Sequence, residues 1–385
     1  MSVYFDNNAS TVVAPEVVAK MVPLLTDHFG NPSSVHRIGQ RAAEELADAR
    51  AKVAALLGAK APSEIVFTGS GTEADNLAIV GALNANPDKK HIITTAVEHP
   101  AVLKLCQEMA SAGECELTCL PVDADGQIAL DDLRTALRPD TAVVSIMMVN
   151  NETGVVFDVV AAGEIVRQHG ALFHVDGVQA AGKIALDLAQ WPIDLFTISG
   201  HKLHASKGVG ALYVRRGVSI TAMIQGGRQE RGRRAGTENV PAIAGLGVAC
   251  ELAQESLTGS IPEIGHLRDH LEKSILAAIP DSAVNGSRSS RVATTSNLVF
   301  RGVEGEGILL LLDRQGVAVS SGAACSSGSM EPSHVLLAMG LAEELAQSAI
   351  RMSLSRYSTA TEVDFAVKVL PGIVAQLRSG SSNAS

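Results

Sequence analysis

Aromatic residues are scarce in this chain, with one Trp, three Tyr and eight Phe among 385 residues. Alanine, glycine, valine and leucine must therefore build its core, and a hydrophobic share of 46% against 19% charged argues for a compact folded protein rather than long disorder. No run of about 18 apolar residues occurs, which excludes a hydrophobic membrane-spanning helix. Met1-Ser2-Val3-Tyr4-Phe5-Asp6 is neither basic nor followed by an apolar stretch, so no secretory signal is expected and the reading is cytoplasmic. Cysteine is sparse and odd in number, at positions 106, 115, 119, 250 and 325, which suits a reducing compartment and excludes a disulfide framework. Positive charge is in deficit, with 31 Lys and Arg against 41 Asp and Glu; the net charge of −10 disfavours general attraction to nucleic acid or an anionic membrane.

What is present is an α/β alternation. Short apolar runs at Ile65–Phe67, Ile92–Thr95, Leu117–Val122, Val143–Val149, Leu172–Val175, Leu195–Ile198 and Ala211–Val214 read as strands. Helical periodicity separates several of them, at Glu73–Leu83, Ala101–Met109 and Val160–His169, the last stopped by Gly170. Seven strands in a mostly parallel sheet, sandwiched by helices, are the expected large domain over residues 15–258. Two long helices, Asn239–Leu257 and Glu263–Ile279, would link it to a smaller α+β domain made of residues 1–14 and 259–378. Residues 379–385 have no apolar anchor and read as a mobile tail.

In parallel sheets ligands sit beyond the carboxyl ends of strands, so polar residues immediately after apolar runs are the first candidates. Thr68-Gly-Ser-Gly71-Thr72-Glu73 offers a glycine-containing turn at a helix start, an anion cradle without the P-loop spacing; an ordinary helix cap is the plain alternative. His99, in Glu98-His99-Pro100, reads as the end of a strand with Pro100 opening a helix, or as a structural histidine. Asp176 ends Leu172-Phe-His-Val-Asp176 and either caps a helix or meets a cation. Lys202 follows Ile198-Ser199-Gly-His201 and is a candidate amine nucleophile, or a solvated surface lysine. Together, a phosphate cradle, an acid, a histidine and a lysine at one sheet edge match the needs of pyridoxal 5'-phosphate. The 26 residues from Asp176 to Lys202 fit adjacent strands joined by a crossover.

At this point the chain resembles the NifS/IscS-like cysteine desulfurases, fold-type I pyridoxal-phosphate enzymes of the class-V aminotransferase type. The matching segments are Asp6-Asn-Asn-Ala-Ser-Thr11, Gly30-Asn-Pro-Ser-Ser34, Val97-Glu-His-Pro-Ala101, Asn150-Asn-Glu-Thr-Gly154, Asp176-Gly-Val-Gln-Ala180, Ser199-Gly-His-Lys202, Arg233-Arg-Ala-Gly-Thr-Glu-Asn239 and Ser320-Ser-Gly-Ala-Ala-Cys325. They span nearly the whole chain in order. The resemblance implies that Lys202 carries the cofactor, Asp176 pairs with its ring nitrogen, His99 stacks on the ring, and Gln179 and Asn151 lie near its phenolic oxygen. It implies a phosphate site of Gly71, Thr72, Ser199 and His201, completed by Thr237 of a second subunit in a homodimer. Arg351 would grip the substrate carboxylate, with Asn151 close by.

Cys325 lies in a run of Ser, Gly, Ala and Cys with little to bury, which suits a swinging loop; the other four cysteines read as buried packing residues. By resemblance Cys325 is the nucleophile. L-cysteine would bind at the cofactor, Lys202 would move the Cα proton with His99 as an acid/base partner, and Cys325 would take the sulfur as a persulfide while L-alanine leaves. An iron-sulfur scaffold protein is the implied acceptor. No resident metal is expected, only transient contact of Cys325 with a cluster. The Arg233–Asn239 motif resembles the nitrogen-fixation branch, whereas the alanine before Ala324-Cys325 and Ala74-Asp75 after Glu73 depart from the commoner family pattern. A selenocysteine lyase or another fold-type I lyase or aminotransferase would share Lys202 and Asp176, and a thiol carrier or cluster-binding protein would need only Cys325.

Overall fold

The computed structural model describes residues 2–321 and 331–381. Cys325 and residues 382–385 lie outside the described residues. The first half of the chain forms β1 (Val3–Tyr4), α1 (Pro15–Thr26), α2 (Arg37–Leu56), β2 (Ile65–Thr68), α3 (Gly71–Asn84), β3 (His91–Thr95), α4 (Pro100–Ser111), β4 (Glu116–Leu120), α5 (Leu130–Ala136), β5 (Thr141–Ser145), α6 (Val159–His169) and β6 (Leu172–Asp176). The second half adds β7 (Leu195–Ser199), β8 (Gly210–Val214), α7 (Val240–Thr258), α8 (Ser260–Ala278), β9 (Ser282–Val284), β10 (Thr295–Phe300), α9 (Gly305–Arg314), β11 (Val317–Ala318), α10 (His334–Ala338), α11 (Glu343–Gln347), β12 (Ile350–Ser353) and α12 (Ala360–Ser381).

Strands β2 to β8 form a seven-stranded sheet in the order β2-β8-β7-β6-β5-β3-β4. Only β8 runs against its neighbours, so β2 ends on the same side as the parallel strands. The central strands are buried on both faces, which is why they read as continuous apolar runs without alternation. Helix boundaries follow local chemistry. Ser70 accepts from the Glu73 amide at the start of α3, Asp158 from Ala161 at the start of α6, and Gly170 closes α6 in the left-handed region.

The structure departs from the sequence reading in several places. β5 stops at Ser145 rather than running to Val149, because Val149 turns to bridge Val156 while the Met148 amide still reaches Asp176 O. Cys119 is exposed rather than packed, because β4 is the sheet's edge strand; among the described cysteines, Cys106, Cys115 and Cys250 are buried. α12 continues through Ser381, into the segment expected as a mobile tail. Helices α1, α2, α5, α10 and α11 are elements that the sequence reading does not assign.

A second apolar core forms between α8, α9 and α12 and the three-stranded sheet β12-β10-β9. Val3 and Phe5 pack into it, and β1 pairs with β11. The chain then leaves this core through Asp6–Thr11 and crosses the carboxyl ends of β6 and β7. α7 packs on α1 and α2, α8 on α12, and the two meet at Gly259.

One close approach sets the floor of that crossing. A Cβ at Gly177 would stand 1.9 Å from Cζ of Phe196, which is wholly buried beneath it. Gly177→Ala is therefore expected to cost about 1–3 kcal/mol in urea unfolding by overpacking, and Phe196→Leu in the same chain to recover part of that loss. Undiminished stability of Gly177→Ala would refute the packing argument.

Candidate active site

The carboxyl ends of β2, β5, β6 and β7 open into a cavity of about 330 Å³. Its lining includes Gly71, Thr72, His99, Asn151, Asp176, Gln179, Ser199, His201, Lys202 and Arg351. These ten sequence-selected residues come from six separate segments, and the crossing N-terminal strap adds Asn8 and Ala9. Thr237 is exposed and lies outside this lining, on the turn before α7.

Lys202 stands on the short turn after β7. Its Nζ donates to the carbonyl of Asn8 and, at 2.8 Å, to that of Ala9. Asp176 ends β6, and its Oδ1 accepts the Val178 amide at 2.9 Å. Burial raises the Asp176 carboxyl to about 6, with the Val178 bond and Lys202 pulling the other way, so it is ionised at neutral pH. The N-terminus of α3 faces the cavity through Gly71 and Thr72. A Cβ on Gly71 would stand 3.0 Å from Ser199 Cβ, tight enough that Ser199 would have to give way.

His99 does not end a strand. β3 stops at Thr95, and His99 caps α4, its Nδ1 accepting from the Ala101 amide at 3.1 Å. That bond assigns the ring proton to Nε2. Burial, then Lys202 and His334, lower His99 to about 4; burial, then Lys202, Lys207 and His99, lower His201 to about 4. Both rings are neutral at neutral pH.

Arg351, on β12, comes from the second core. Its Nη2 meets Asp6 Oδ1 at 2.8 Å and its Nη1 the carbonyl of Asn151 at 3.1 Å. Its Nε is buried without a hydrogen-bond partner.

Behind the cavity is a buried polar layer. His174 bonds Ser145 and Thr197 at 2.8 and 3.0 Å, and its Nε2 is 3.6 Å from Asp75 Oδ1. Burial and the nearby Asp176 raise Asp75 well above the carboxylate range, and burial lowers His174 to about 3. The Asp75 carboxyl, buried and repelled by Asp176, is the neutral member of that pair. Among the described residues, no group of three or more His, Cys, Asp or Glu is placed to hold a metal ion, and no helix is long and apolar enough to cross a membrane.

Residues 3–365 match the family described as Aminotransferase class-V. The chain belongs to that family. It is 53% identical over 377 residues to a cysteine desulfurase of Trichormus azollae, covering 98% of this chain and 94% of that one. It is 49% identical over 379 residues to the cysteine desulfurase NifS of Azotobacter vinelandii, with the same two coverages. A solved structure titled NifS-like protein superposes with a TM-score of 0.92 at 37% identity, covering 98% of this chain and all of that one. Within the class-V aminotransferases this enzyme is a cysteine desulfurase, as its motifs imply, and the fold is that of a fold-type I enzyme.

Several residues of the site escape the motif reading. Asp75 could have been found as an acid on the buried face of α3, spaced with Gly71, Ala78 and Ala82. Asn8 is inside a matched segment, but its role as an acceptor for Lys202 depends on where the strap crosses. Glu98, beside His99, is wholly buried; its Oε1 accepts from Thr95 Oγ1 and the Met147 amide, while Oε2 has no partner.

Burial raises Glu98 to about 8, from 4.5 when unfolded. Between those values the folded chain holds a proton that the unfolded chain releases, so stability falls as pH rises, by up to about 1.4 kcal/mol per pH unit. Glu98→Gln preserves both acceptor bonds and removes this titration. Urea unfolding from pH 5 to 8 should find the variant gaining steadily on the parent chain; parallel curves would show that Glu98 is ionised when folded.

Proposed function

We propose that this enzyme desulfurates L-cysteine to L-alanine with pyridoxal 5'-phosphate, stores the sulfur as a persulfide on Cys325, and passes it to an iron-sulfur scaffold protein, as the sulfur supply for nitrogenase clusters. The single observation that carries the reading is the convergence of Lys202, Asp176, His99 and Arg351 on one cavity beside the α3 N-terminus. The residues fit the cofactor. Asp176 has one oxygen clamped by the Val178 amide and the other left for a ring nitrogen; Gly71, Thr72, Ser199 and His201 offer donors and a helix terminus to a phosphate. Pyridoxal phosphate, once bound, supplies an electron sink that lets the substrate Cα lose its proton and its sulfur leave.

The protein's part follows from its geometry. Lys202 holds the cofactor and, released by substrate, moves the Cα proton; the strap carbonyls of Asn8 and Ala9 fix where its amine stands. His99 would lie over the ring and, neutral with its proton on Nε2 and Nδ1 taken by the Ala101 amide, presents an N–H donor to the cavity. Asn151 and Gln179 flank the ring's oxygen. Arg351 is held by Asp6 and the Asn151 carbonyl at the cavity wall, where its guanidinium would meet a substrate carboxylate. The Cys325 thiolate then forms an S–S bond to the substrate sulfur as the Cβ–S bond breaks. The bonding pair stays on carbon, which takes up protons, so that enzyme thiol plus L-cysteine become enzyme persulfide plus L-alanine.

A homodimer follows from the same reading, with Thr237 meeting the partner's phosphate site. Its exposure, and that of Val18, Val22, Leu25, Phe29, Val35 and Ile38 within one short stretch, supports a covered surface there. The scaffold acceptor and the cytoplasmic location rest on the desulfurase relatives.

Two substitutions test the chemistry. Lys202→Ala is expected to lose the cofactor band near ~420 nm and to slow alanine release by roughly 10²–10⁴-fold. Cys325→Ala should keep the band and reduce alanine release from cysteine, with reductant present, to background. Retained parental release by Cys325→Ala would remove Cys325 from the mechanism.

A further inference from the structure

Lys183 is a second amine beside the cavity, and the chemistry above leaves it unused. It sits four residues after Gln179 on the turn that follows β6. Its Nζ donates to Gln179 Oε1 at 2.5 Å and to Asn8 Oδ1 at 3.0 Å. Gln179 Nε2 in turn donates to the Asn8 carbonyl at 3.0 Å, and that carbonyl also accepts Lys202 Nζ. Lys183, Gln179, Asn8 and Lys202 thus form one connected network.

Charge around Lys183 is of one sign. Lys183 and Lys202 share the wall of a second cavity, about 40 Å³, with His204 and Arg356, and no Asp or Glu is among its lining. Arg351 also acts on Lys183. Of the acids nearby, Asp6 is paired with Arg351 and Asp176 is held by the Val178 amide. Burial, then Lys202 and Arg351, lower Lys183 to about 7, and no ion pair compensates it among the described residues. An uncompensated ammonium is expensive where a neutral donor would satisfy Gln179 and Asn8 equally well.

We infer that Lys183 is a positioning residue for Lys202: as a neutral amine it holds Gln179 Oε1 and Asn8 Oδ1, and so fixes the Asn8 carbonyl on which Lys202 Nζ rests. The inference rests on the reading of Lys202 as the cofactor-bearing lysine.

Lys183→Gln keeps a neutral donor at this position, whereas Lys183→Met removes it. Two readouts apply: the pH midpoint of the ~420 nm band in the loaded enzyme, and the acetylation of Lys202 in the cofactor-free protein, followed by peptide mass spectrometry at pH 8. Lys183→Met releases the Asn8 carbonyl from this network and is expected to lower the midpoint by about one pH unit and to speed Lys202 acetylation about tenfold. Lys183→Gln should leave both near the parental values. Lys183→Leu serves in place of the methionine variant if that fails to fold, with the same expectation. Unchanged values in the apolar variant, or equal displacement in both variants, would overturn the inference. A parental protein with no Lys202-dependent band would overturn the cofactor reading instead, and the acetylation rates would still decide the role of Lys183.

Discussion

The site depends on one contact: the Lys202 amine held by the main-chain carbonyls of Asn8 and Ala9. Those carbonyls belong to a strap whose two ends are anchored in different cores. Val3 and Phe5 bury in the smaller one, and Asn7 and Asn8 bond Ser353 on β12. Thr11 reaches the carbonyl of His201, beside Lys202 itself. The strap thereby ties a strand of the small sheet to the turn after β7, and a lysine that would otherwise be a flexible four-carbon stem acquires a fixed address. Arg351 is fixed by the same strap through Asp6, so the groups assigned to cofactor and substrate share one mechanical reference.

Desolvation then decides which groups carry charge. His99, His201 and His174 are all driven well below neutrality, and Asp75 and Glu98 are driven up, so five titratable side chains in and behind the cavity are neutral at pH 7. The charges that remain are Asp176 on one side and a surplus of cations on the other. That division suits a ligand with a protonatable ring nitrogen at one end and an anionic group at the other.

The same physics clears the field for a single reactive thiol. Cys106 and Cys250 are buried with their thiols pushed up, and burial also raises Cys115 and Cys119. None of these four is a good thiolate at neutral pH, even though Cys119 is exposed on an edge strand. Under the proposed mechanism, sulfur chemistry is left to Cys325.

The seven strands of the sheet and ten of the cavity residues were legible because each leaves a local mark: a β-branched run, a polar residue directly after it, a glycine where a helix begins. Asp75, Glu98 and Lys183 were not, since nothing in the neighbouring residues says that a carboxyl will be desolvated beside another or that an amine will lack a counter-ion. The exposure of Cys119 was hidden for the same reason, because a strand's place at the edge is set by pairing order and not by its own residues. Sequence by itself determined the residue types, their order along the chain and hence the family and its chemistry. Only the tertiary structure decided which of those groups are charged and what holds Lys202 in place, because burial and the crossing of the strap bring together residues that are nearly two hundred apart in the chain.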